Sequence, residues 1–386
     1  MDFSYPDETQ RFRAELREWL ATNITDEVIA ADRQRGRSDT AFETLRAWDA
    51  ATADAHWAAV SWPRRYGGRG ATALERLIFA EETAVARVPA PLNTIGINNI
   101  APALMMYGTE DQKRKLLPRM ARADDIWCQG MSEPEAGSDL ASLSTRAVRD
   151  GDHFVINGQK IWTSLGHRAD WCQLYVRTDA NAPKHEGISC LIVDMTTSGI
   201  DARPLVSIGG DSDFAEVFFD DVRVPADALL GGLNAGWQVA MTTLAYERAA
   251  AAQLYVEMQI QLDDLISDLA QVQVDDKFIL DDPLVQCRVG ELSVRIKNLE
   301  LLCLRAVSSL LNEGDDAAAM SSLAKTTWAE VGQDLAALGF ELLGAQRADG
   351  RWARQRLTAR ALSIAGGTTQ VTKTVTAQRV LGMPRK

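Results

Sequence analysis

The first third of the chain has the residue spacing of helices. Four apolar side chains recur at intervals of three and four residues, as on the buried face of an amphipathic helix: Phe12, Leu16, Trp19 and Leu20. Ser4 is placed to cap this helix at its N-terminus. Thr109 and Gln112 form a capping-box pair, and Pro118 is expected to limit the helix that follows. The pattern predicts an N-terminal α-helical domain over residues 1–124.

Between residues 125 and 233, short apolar runs replace the helical spacing. Runs of this length, separated by Gly, Asp, Asn and Pro, are typical of strands: 144–149, 153–156, 171–177, 188–194 and 215–224. Asp150-Gly151 is a hairpin signal between the first two runs, and Asn157-Gly158 is expected to end the second. This rhythm predicts a middle domain that is a small antiparallel β-barrel or sandwich.

From residue 234 to residue 386 the strand signals disappear, and two long helical stripes take over. The first stripe has these apolar positions: Val285, Val289, Leu292, Ile296, Leu299, Cys303 and Leu310. The second has these: Met320, Leu323, Val331, Leu335, Leu338 and Leu342. Residues 312–316 separate the stripes, so the two helices should pack antiparallel in a C-terminal four-helix bundle. The predicted fold class is therefore α+β and multidomain: helical domain, antiparallel β-domain, helical bundle.

The composition is that of a soluble globular enzyme, with 46% hydrophobic residues among 386. The N-terminus has neither a basic start nor an apolar run, so no secretory signal is expected, and no segment approaches the length of a membrane span. The five cysteines are scattered and odd in number. This usage suggests reduced, buried thiols and a cytoplasmic location.

The net charge of −12 disfavours a nucleic-acid partner, because phosphate binding needs clustered Lys and Arg. The four histidines show no metal-ligand spacing with one another or with the cysteines, and we predict no metal site. The glycine-rich segment 67–70 fits neither nucleotide-binding fingerprint and is interpreted as a turn.

Two polar motifs bracket the predicted hairpin. The first, residues 131–139, reads MSEPEAGSD, and the second, residues 157–164, reads NGQKIWTS. Together they offer hydroxyl and amide donors to a flat heteroaromatic ring, and the Trp162 indole would form a wall beside it. Either motif alone is more simply interpreted as structure: a polar turn at Pro134 in the first, and a core position for Trp162 in the second.

The two motifs resemble the signature loops of the acyl-CoA dehydrogenase family, which read T-E-P-x-A-G-S-D and N-G-x-K-x-W-x-T/S. Three further segments match that family in chain order: Trp62-Pro63 with 66–70, 107–112 with Leu117-Pro118, and the tail motif 366–371. The resemblance spans nearly the whole chain. It implies an FAD enzyme acting on acyl-CoA, with the flavin between β-domain and bundle and its adenosine end reaching a neighbouring subunit.

The resemblance also implies roles for individual residues. Those expected around the flavin ring are Gln129, Met131, Ser132, Trp162 and Ser164. The tail motif is expected to approach the FAD through Thr368, Thr369 and Gln370. Those expected toward the acyl-CoA are Ser138, Arg248 and Gly367. Without the family, Ser138 is interpreted as a turn hydroxyl and Arg248 as half of a surface ion pair.

Desaturating an acyl thioester requires a base for the α-proton, a donor for the enolate oxygen and a hydride acceptor, here the flavin. Most family members place the base, a Glu, directly before the Gly-Thr pair of the tail, where this chain has Gly366. A minority place it on the first helix after the β-domain, before an Arg, as Glu247 precedes Arg248 here. Glu247 is therefore the candidate base, although a Glu-Arg pair on an Ala-rich helix is ordinarily solvated. Gly366 keeps a backbone N–H for the thioester carbonyl, and its missing side chain favours a branched or bulky acyl group.

Two departures from the family concern the part of the FAD site that is shared between subunits. Lys277 stands where the family usually has an Arg for the phosphates, so a planar bidentate grip becomes a point charge. Glu341 stands where the family has a Gln, and a carboxylate pointing there would repel phosphate. These departures suggest a tetramer that pairs this chain with a different, related subunit. A homotetramer is the alternative.

The predicted function is FAD-dependent acyl-CoA dehydrogenation in lipid metabolism, as in fatty acid β-oxidation, with an electron-transfer flavoprotein as acceptor. Two alternatives stay open. The same fold also hosts flavin oxidases and monooxygenases, which no residue excludes. The chain would otherwise be a noncatalytic subunit that completes the FAD site of a sister chain, an interpretation against which Glu247 argues.

Overall fold

The computed structural model describes residues 6–249, 254–311, 317–344 and 350–384, so Ser4 lies outside the described residues. The α-helices are α1 (Asp7–Asn23), α2 (Asp26–Arg33), α3 (Asp39–Asp54), α4 (Ala73–Val85), α5 (Ala101–Tyr107), α6 (Glu110–Ala121), α7 (Gly236–Ala249), α8 (Leu254–Leu269), α9 (Pro283–Leu311), α10 (Ala317–Leu343), α11 (Arg351–Thr358) and α12 (Thr369–Arg379). The strands are β1 (Trp127–Gly130), β2 (Arg146–Asp150), β3 (His153–Ser164), β4 (Trp171–Arg177), β5 (Ile188–Asp194), β6 (Ile200–Leu205), β7 (Phe214–Pro225), β8 (Gln273–Val274) and β9 (Lys277–Phe278).

The order of elements along the chain is helices, then a sheet, then helices, which confirms the predicted fold class. In space the chain divides into two compact units that each draw on separate stretches of sequence. The sheet unit contains Thr25–Ala71 and Pro89–Glu247, and the helical unit contains Met1–Ile24, Thr72–Val88 and Arg248–Lys386. Helices α1 and α4 therefore belong to the same unit as the C-terminal helices. The sequence boundaries at residues 124 and 233 stay a prediction.

The sheet unit is built around a seven-stranded sheet in the order β1-β4-β2-β3-β7-β6, with β5 paired to β4. The pairings are antiparallel except for β1 with β4 and a short contact of β2 with β4, which are parallel. Side chains of β7 alternate between buried and more exposed, as expected for a strand with one face on a core. The core beneath the sheet is apolar and includes Phe154, Ile156, Leu191, Val217 and Val222.

The predicted hairpin is present, but its second strand does not end at Asn157-Gly158. Strand β3 continues to Ser164. At the register shift between Ile156 and Gly158, Asn157 lies opposite two residues of β7, so the bulge is on β7 and Asn-Gly is not a turn. A Cβ atom at Gly158 would lie 2.7 Å from the Cα of Thr145, which only glycine avoids. The Asn157 side chain donates to the Asp221 carboxylate at 2.9 Å, which anchors the bulge.

The helical unit packs α8, α9 and α10 with α4 around one apolar core. Both predicted stripes are largely buried in this core, through Leu292, Ile296, Leu299, Cys303, Val331, Leu335 and Leu338. Two interhelical ion pairs, Arg288 with Glu341 and Arg295 with Asp334, step in opposite directions along α9 and α10. The predicted antiparallel packing of these helices is therefore confirmed. Residues 312–316, the predicted connection, lie outside the described residues.

Helix α6 begins with the predicted capping box of Thr109 and Gln112. The prediction that Pro118 limits this helix was wrong, because α6 runs through it to Ala121. Proline removes one backbone hydrogen bond, from the carbonyl of exposed Arg114, while its fixed φ suits a helix. The carbonyl is free to be solvated, so the helix continues.

Within the ranges described, no helix has both the length and the apolar character needed to cross a membrane. All five cysteines are free, and Cys128, Cys172, Cys190 and Cys303 are buried. Cys287 is exposed, which departs from the expectation of uniform burial. Cys287 lies on α9 two residues after buried Val285 and is not part of the apolar stripe.

Candidate functional site

The two polar motifs are joined by a buried ion pair. The Lys160 ammonium, fully buried, donates to the Glu133 carboxylate at 2.8 Å and to the Met131 carbonyl at 3.0 Å. Glu133 also accepts hydrogen bonds from the backbone N–H groups of Ser144 and Thr145, at 2.6 and 2.9 Å. One carboxylate thus fixes the first motif to the strand of the second motif and to the start of the hairpin.

The charges of this pair survive burial because each has enough partners. Burial by itself would raise the pKa of Glu133, but the Lys160 charge and four donated hydrogen bonds hold that pKa at about 2. Loss of hydration lowers the pKa of Lys160 from its ordinary value, and the Glu133 charge opposes this fall. Removing either partner would leave an unpaired charge inside the sheet unit.

A backbone hydrogen bond brings the motifs into register beside the ion pair: the Ile161 N–H donates to the Ser132 carbonyl at 2.9 Å. The next residue, Trp162, lies at a second register shift of β3 and has a φ of 60°. A left-handed conformation at a bulky residue costs about 1–3 kcal/mol and is concentrated at functional sites. The interpretation of Trp162 as a core residue is excluded, because 62% of it is exposed.

The Trp162 indole contacts the ring of Phe214, which meets it edge to face at 6.1 Å between centroids. The polar residues predicted around a flavin ring lie close to it in sequence and register. Ser132 follows Met131 in the first motif, Ser164 closes β3, and both are partly buried. A planar ligand here would meet an exposed indole on strained backbone, with the serine hydroxyls of the two motifs as donors nearby, a combination that fits a flavin.

Gln129 lies on β1, two residues before the first motif, and its side-chain amide donates to Gln173 at 3.0 Å. Ser138 is exposed near the end of the first motif. The following residue, Asp139, pairs with Lys184 at 2.9 Å and is thereby held to the β4–β5 connection. The pKa of Asp139 is lowered by hydrogen bonds from Ser142 and Lys184.

The candidate base is carried by α7, the first helix after the sheet. The backbone of Glu247 and Arg248 is helical, and the side chains of both lie outside the described residues. The predicted roles of Glu247 as base and Arg248 as substrate contact therefore stay predictions. The expectation that Glu247 and the tail motif act on the same substrate also stays a prediction, because the two belong to different compact units.

The tail motif forms an exposed turn before α12. Gly366 and Gly367 both have positive φ, 66° and 102°, which is a conformation that glycine adopts at little cost. The Lys325 ammonium, from α10, donates to the carbonyls of Leu362 and Gly367 at 2.9 and 2.8 Å and so fixes the turn. The backbone conformation at position 366 therefore favours glycine, independently of any catalytic role.

The predicted FAD contacts of the tail also have local partners. The Thr368 hydroxyl accepts from the Val371 N–H at 3.2 Å and caps α12. Thr369 donates to the Ser363 carbonyl at 3.4 Å, and Gln370 is exposed. A local structural role therefore accounts for both threonines, whereas Gln370 presents its amide to solvent.

The two residues that depart from the family differ in their surroundings. Lys277 is exposed in the two-residue strand β9. Glu341 accepts two hydrogen bonds from Arg288 at 2.6 and 2.7 Å, and these bonds lower its pKa. The expected repulsion of phosphate is thereby weakened, because the carboxylate charge is matched by a guanidinium from the neighbouring helix.

Sequence reasoning missed several residues that organise these segments. Glu133, Lys160, Gln173, Thr243 and Lys325 were assigned no role, although the first two stand inside the motifs. One signal was present: Lys160 has the same strand parity as buried Phe154 and Ile156, which points an ammonium inward. Among the described residues, no group of three His, Cys, Asp or Glu side chains is arranged to hold a metal ion.

Comparison with known proteins places these features in a family. Three family models match the chain in order: the acyl-CoA dehydrogenase N-terminal domain over residues 6–124, middle domain over 128–222 and C-terminal domain over 234–381. Acyl-CoA dehydrogenase IpdE1 of Mycobacterium tuberculosis is 37% identical over 387 positions, covering 98% of this chain and 99% of the relative.

Two solved structures of assemblies with paired names are also similar. The Tcur3481-Tcur3483 steroid acyl-CoA dehydrogenase has a TM-score of 0.87 and 31% identity, covering 100% of both chains. The ChsE4-ChsE5 complex from Mycobacterium tuberculosis has a TM-score of 0.85 and 34% identity, again covering 100% of both chains. Matches of this extent, over all three domains and both signature motifs, show that the chain belongs to the acyl-CoA dehydrogenase family of flavin-dependent oxidoreductases.

Proposed function

We propose that this chain is a subunit of an FAD-dependent acyl-CoA dehydrogenase that desaturates the α,β bond of an acyl-CoA thioester. The observation that carries the proposal is the pair of motifs joined by Lys160 and Glu133, which presents the Trp162 indole on strained backbone. Strain of this kind persists where the surrounding structure holds a functional conformation in place. When bound, FAD would accept the β-hydride from the substrate.

Trp162, Ser132, Ser164 and Gln129 would hold the flavin ring, and Thr368, Thr369 and Gln370 would approach the same cofactor from the tail. The exposed indole gives a sharp test of this assignment. Trp162→Ala should change the free energy of unfolding of the apoprotein by less than about 0.5 kcal/mol, as for other exposed positions. Its FAD retention during dialysis should nevertheless fall about tenfold, since aromatic stacking contributes roughly 0.5–1.5 kcal/mol beyond area burial.

Glu247 would remove the α-proton of the thioester, and the backbone N–H of Gly366 would donate to the thioester carbonyl as negative charge develops. Arg248, Ser138 and Gly367 would contact the acyl-CoA. This assignment follows the pattern of residues, because Gly366 offers no carboxylate and the first helix after the sheet does. The reduced cofactor would be reoxidised by an electron-transfer flavoprotein.

The substrate we propose is a bulky, steroid-type acyl-CoA. One similar structure is named a steroid acyl-CoA dehydrogenase, and it covers the whole of this chain at 31% identity. The glycine at position 366 is compatible with this substrate class, because it adds no side-chain volume to a site for a ring system. Straight-chain acyl-CoAs of similar length are the natural comparison set.

The test is anaerobic mixing of the FAD-loaded protein with steroid-type, branched and straight-chain acyl-CoAs while flavin absorbance is followed. Bleaching by the steroid-type thioester is expected, and Glu247→Gln should slow it about 10²–10⁴-fold with FAD still bound. Glu330→Gln, at an exposed glutamate of α10, is the matched control and should bleach at the unsubstituted rate. Undiminished bleaching in Glu247→Gln would eliminate this residue as the base.

We further propose that the working assembly pairs this chain with a related but different subunit. Two similar structures are complexes of two named chains, and in this chain Glu341 is engaged by Arg288 while Lys277 replaces an arginine. The chain would then contribute an incomplete share to a cross-subunit FAD site. Flavin per chain should be low in protein purified alone and rise on co-expression with the partner. Full occupancy in a homotetramer would contradict this assembly.

A further inference from the structure

A chain of buried hydrogen bonds connects the first strand of the sheet to helix α7. It begins at Gln129 on β1, whose amide donates to Gln173 on β4 at 3.0 Å. Gln173 donates to the hydroxyl of Thr243 on α7 at 3.4 Å, and the Tyr175 hydroxyl lies 3.2 Å from the same oxygen. Gln173, Tyr175 and Thr243 are fully buried.

The direction of these bonds follows from the donors available. The Thr243 hydroxyl donates its single proton to the Val239 carbonyl at 3.1 Å, so it accepts from both Gln173 and Tyr175. Burial raises the pKa of Tyr175 well above its ordinary value, which keeps the phenol protonated and able to donate. All of these hydrogen bonds are then compatible with one arrangement of protons, and the network is satisfied at Thr243.

The beginning of α7 is fixed to the sheet by close backbone packing. A Cβ atom at Gly236 would lie 2.5 Å from the carbonyl carbon of Ser189 on β5, so only glycine permits this approach. The Ser189 hydroxyl also accepts from the Asn234 N–H at 2.8 Å. Two turns after the helix begins, the hydrogen bonds of Thr243 to Gln173 and Tyr175 also attach α7 to β4.

The position of Thr243 relates this network to the candidate base. Along the backbone of α7, Glu247 follows Thr243 by four residues, which is about one helical turn. At the other end, Gln129 belongs to the set expected around the flavin. The hydrogen bonds therefore run from the strand expected to contact the flavin to the turn that precedes the candidate base.

We infer that Thr243 and Gln173 are positioning residues for the desaturation reaction, fixing the Glu247 turn of α7 relative to β1. The inference rests on the proposed function. A valine at 243 and a leucine at 173 would give side chains of similar volume, without the desolvation cost of the Thr243 hydroxyl and the Gln173 amide. The network instead defines one register of helix on strand, because sliding the helix would leave these buried groups unpaired.

The experiment compares Thr243→Val with Thr243→Ser in the FAD-loaded assembly, with its partner subunit if the isolated chain lacks flavin. Thr243→Val keeps the volume and removes the hydroxyl, whereas Thr243→Ser keeps the hydroxyl. We expect Thr243→Val to lower kcat for flavin reduction about 10- to 100-fold, the scale of a misplaced catalytic group, with KM within about threefold. Thr243→Ser should stay within about threefold of the unsubstituted rate. Gln173→Leu should resemble Thr243→Val.

Thr242→Val is the matched control, because it removes a hydroxyl on the same helix that hydrogen-bonds to Tyr107 on α5 and not to the sheet. It should leave kcat within about threefold. Equal losses in Thr243→Val and Thr243→Ser would overturn the inference by showing that packing, not the hydroxyl, matters. An unchanged kcat in Thr243→Val would also overturn it, as would an equal loss in Thr242→Val.

A second readout does not depend on turnover. Hydrogen–deuterium exchange of the α7 amides after residue 243 should accelerate at least tenfold in Thr243→Val and remain near the unsubstituted rate in Thr243→Ser. If no acyl-CoA bleaches the unsubstituted, FAD-loaded protein, the proposed function is wrong. The exchange rates then decide the anchoring separately: acceleration confined to Thr243→Val supports it, and equal protection in all variants excludes it.

Discussion

The motifs in the sheet and the motif in the tail are both predicted to contact the same cofactor, yet they are held by different physical means. In the sheet unit, Glu133 and Lys160 form a fully buried ion pair with four further hydrogen bonds. In the helical unit, the exposed turn at Gly366 and Gly367 is fixed chiefly by Lys325 donating to two carbonyls. The first segment is part of a folded core, and the second is attached to the outside of one.

This difference determines which segment can change without unfolding the protein. Removing one partner of a buried ion pair strongly lowers the free energy of unfolding, because the other partner becomes an uncompensated charge in a medium of low polarity. An exposed turn exchanges a lost hydrogen bond for one to water. We therefore expect substitutions of Glu133 or Lys160 to affect stability and cofactor binding together, and substitutions in the tail to affect the local conformation first.

The largest effect is expected from Lys160→Met. It removes the ammonium but keeps the length of the side chain, leaving Glu133 unpaired, and should lower the free energy of unfolding by about 3–5 kcal/mol in urea denaturation. Lys373→Met is the control, because its ammonium lies 3.3 Å from exposed Glu330 and should matter by less than about 1 kcal/mol. A similar small loss in both variants would remove the distinction between the two regions.

Acid should also weaken the sheet motifs before the tail. The pKa of Glu133 is held at about 2 in the folded chain, below its ordinary value of 4.5. A depressed carboxyl pKa contributes stability above the unfolded value, and this is lost as the pH falls from about 4.5 toward 2. The loss is on the order of 3 kcal/mol, at about 1.4 kcal/mol for each pKa unit. Unfolding followed against pH should show it, and Glu133→Gln should flatten that part of the profile. The tail, residues 364–370, contains no carboxylate.

A smaller effect is expected from Lys325→Met in the helical unit. Two charge-assisted hydrogen bonds to carbonyls are lost, but the side chain is partly exposed and water replaces them, so about 1–2 kcal/mol is expected. Hydrogen–deuterium exchange should accelerate over residues 361–370 and stay unchanged over 131–139. Lys297→Met, at a surface pair on α9, is the control. Acceleration in the sheet motifs as well would show that the two regions are not independent.

The smallest expected effect is a difference in stability between a glycine substitution in the tail and one in the first sheet motif. Gly367 has a φ of 102°, so Gly367→Ala should cost about 1 kcal/mol from backbone strain. Gly137, in the first motif, has no positive φ, and a Cβ atom added there would meet no other atom within 4 Å. Gly137→Ala should therefore change stability by less than about 0.5 kcal/mol. Thermal unfolding of the two variants measures both, and a larger loss at Gly137 would reverse the comparison.

Much of the architecture was predictable because local patterns report local structure. Two strands, Trp171–Arg177 and Ile188–Asp194, begin and end as predicted, since each is a continuous apolar run inside a sheet. The antiparallel contact of α9 with α10 followed from two apolar stripes with a short connection. The prediction was wrong at Asn157-Gly158, where β3 continues instead of ending. Glycine is required at 158 because Thr145 lies too close to the backbone for a side chain.

The candidate site was only partly predictable, for a different reason. Trp162 and the serines were found because they stand in contiguous motifs. The partners that hold them are far apart in sequence: 27 residues separate Glu133 from Lys160, and 70 separate Gln173 from Thr243. No periodicity predicts such contacts, because they depend on how strands and helices are stacked. The tail differs again, since Lys325 donates to backbone carbonyls. Every residue has a carbonyl, so no side-chain pattern in the sequence indicates this contact.

The sequence by itself determined the elements, their order and the family, because periodicity, capping residues and contiguous motifs are properties of the chain before it folds. The tertiary structure decided which polar groups are paired. It turned the glutamate of one motif and the lysine of the other into a single buried ion pair, placed an indole in solvent on a strained bulge, and connected a glutamine on β4 to a threonine on α7. The ion pair and the glutamine–threonine hydrogen bond depend on burial, because a charge or an amide is costly to leave unpaired only where water cannot reach it.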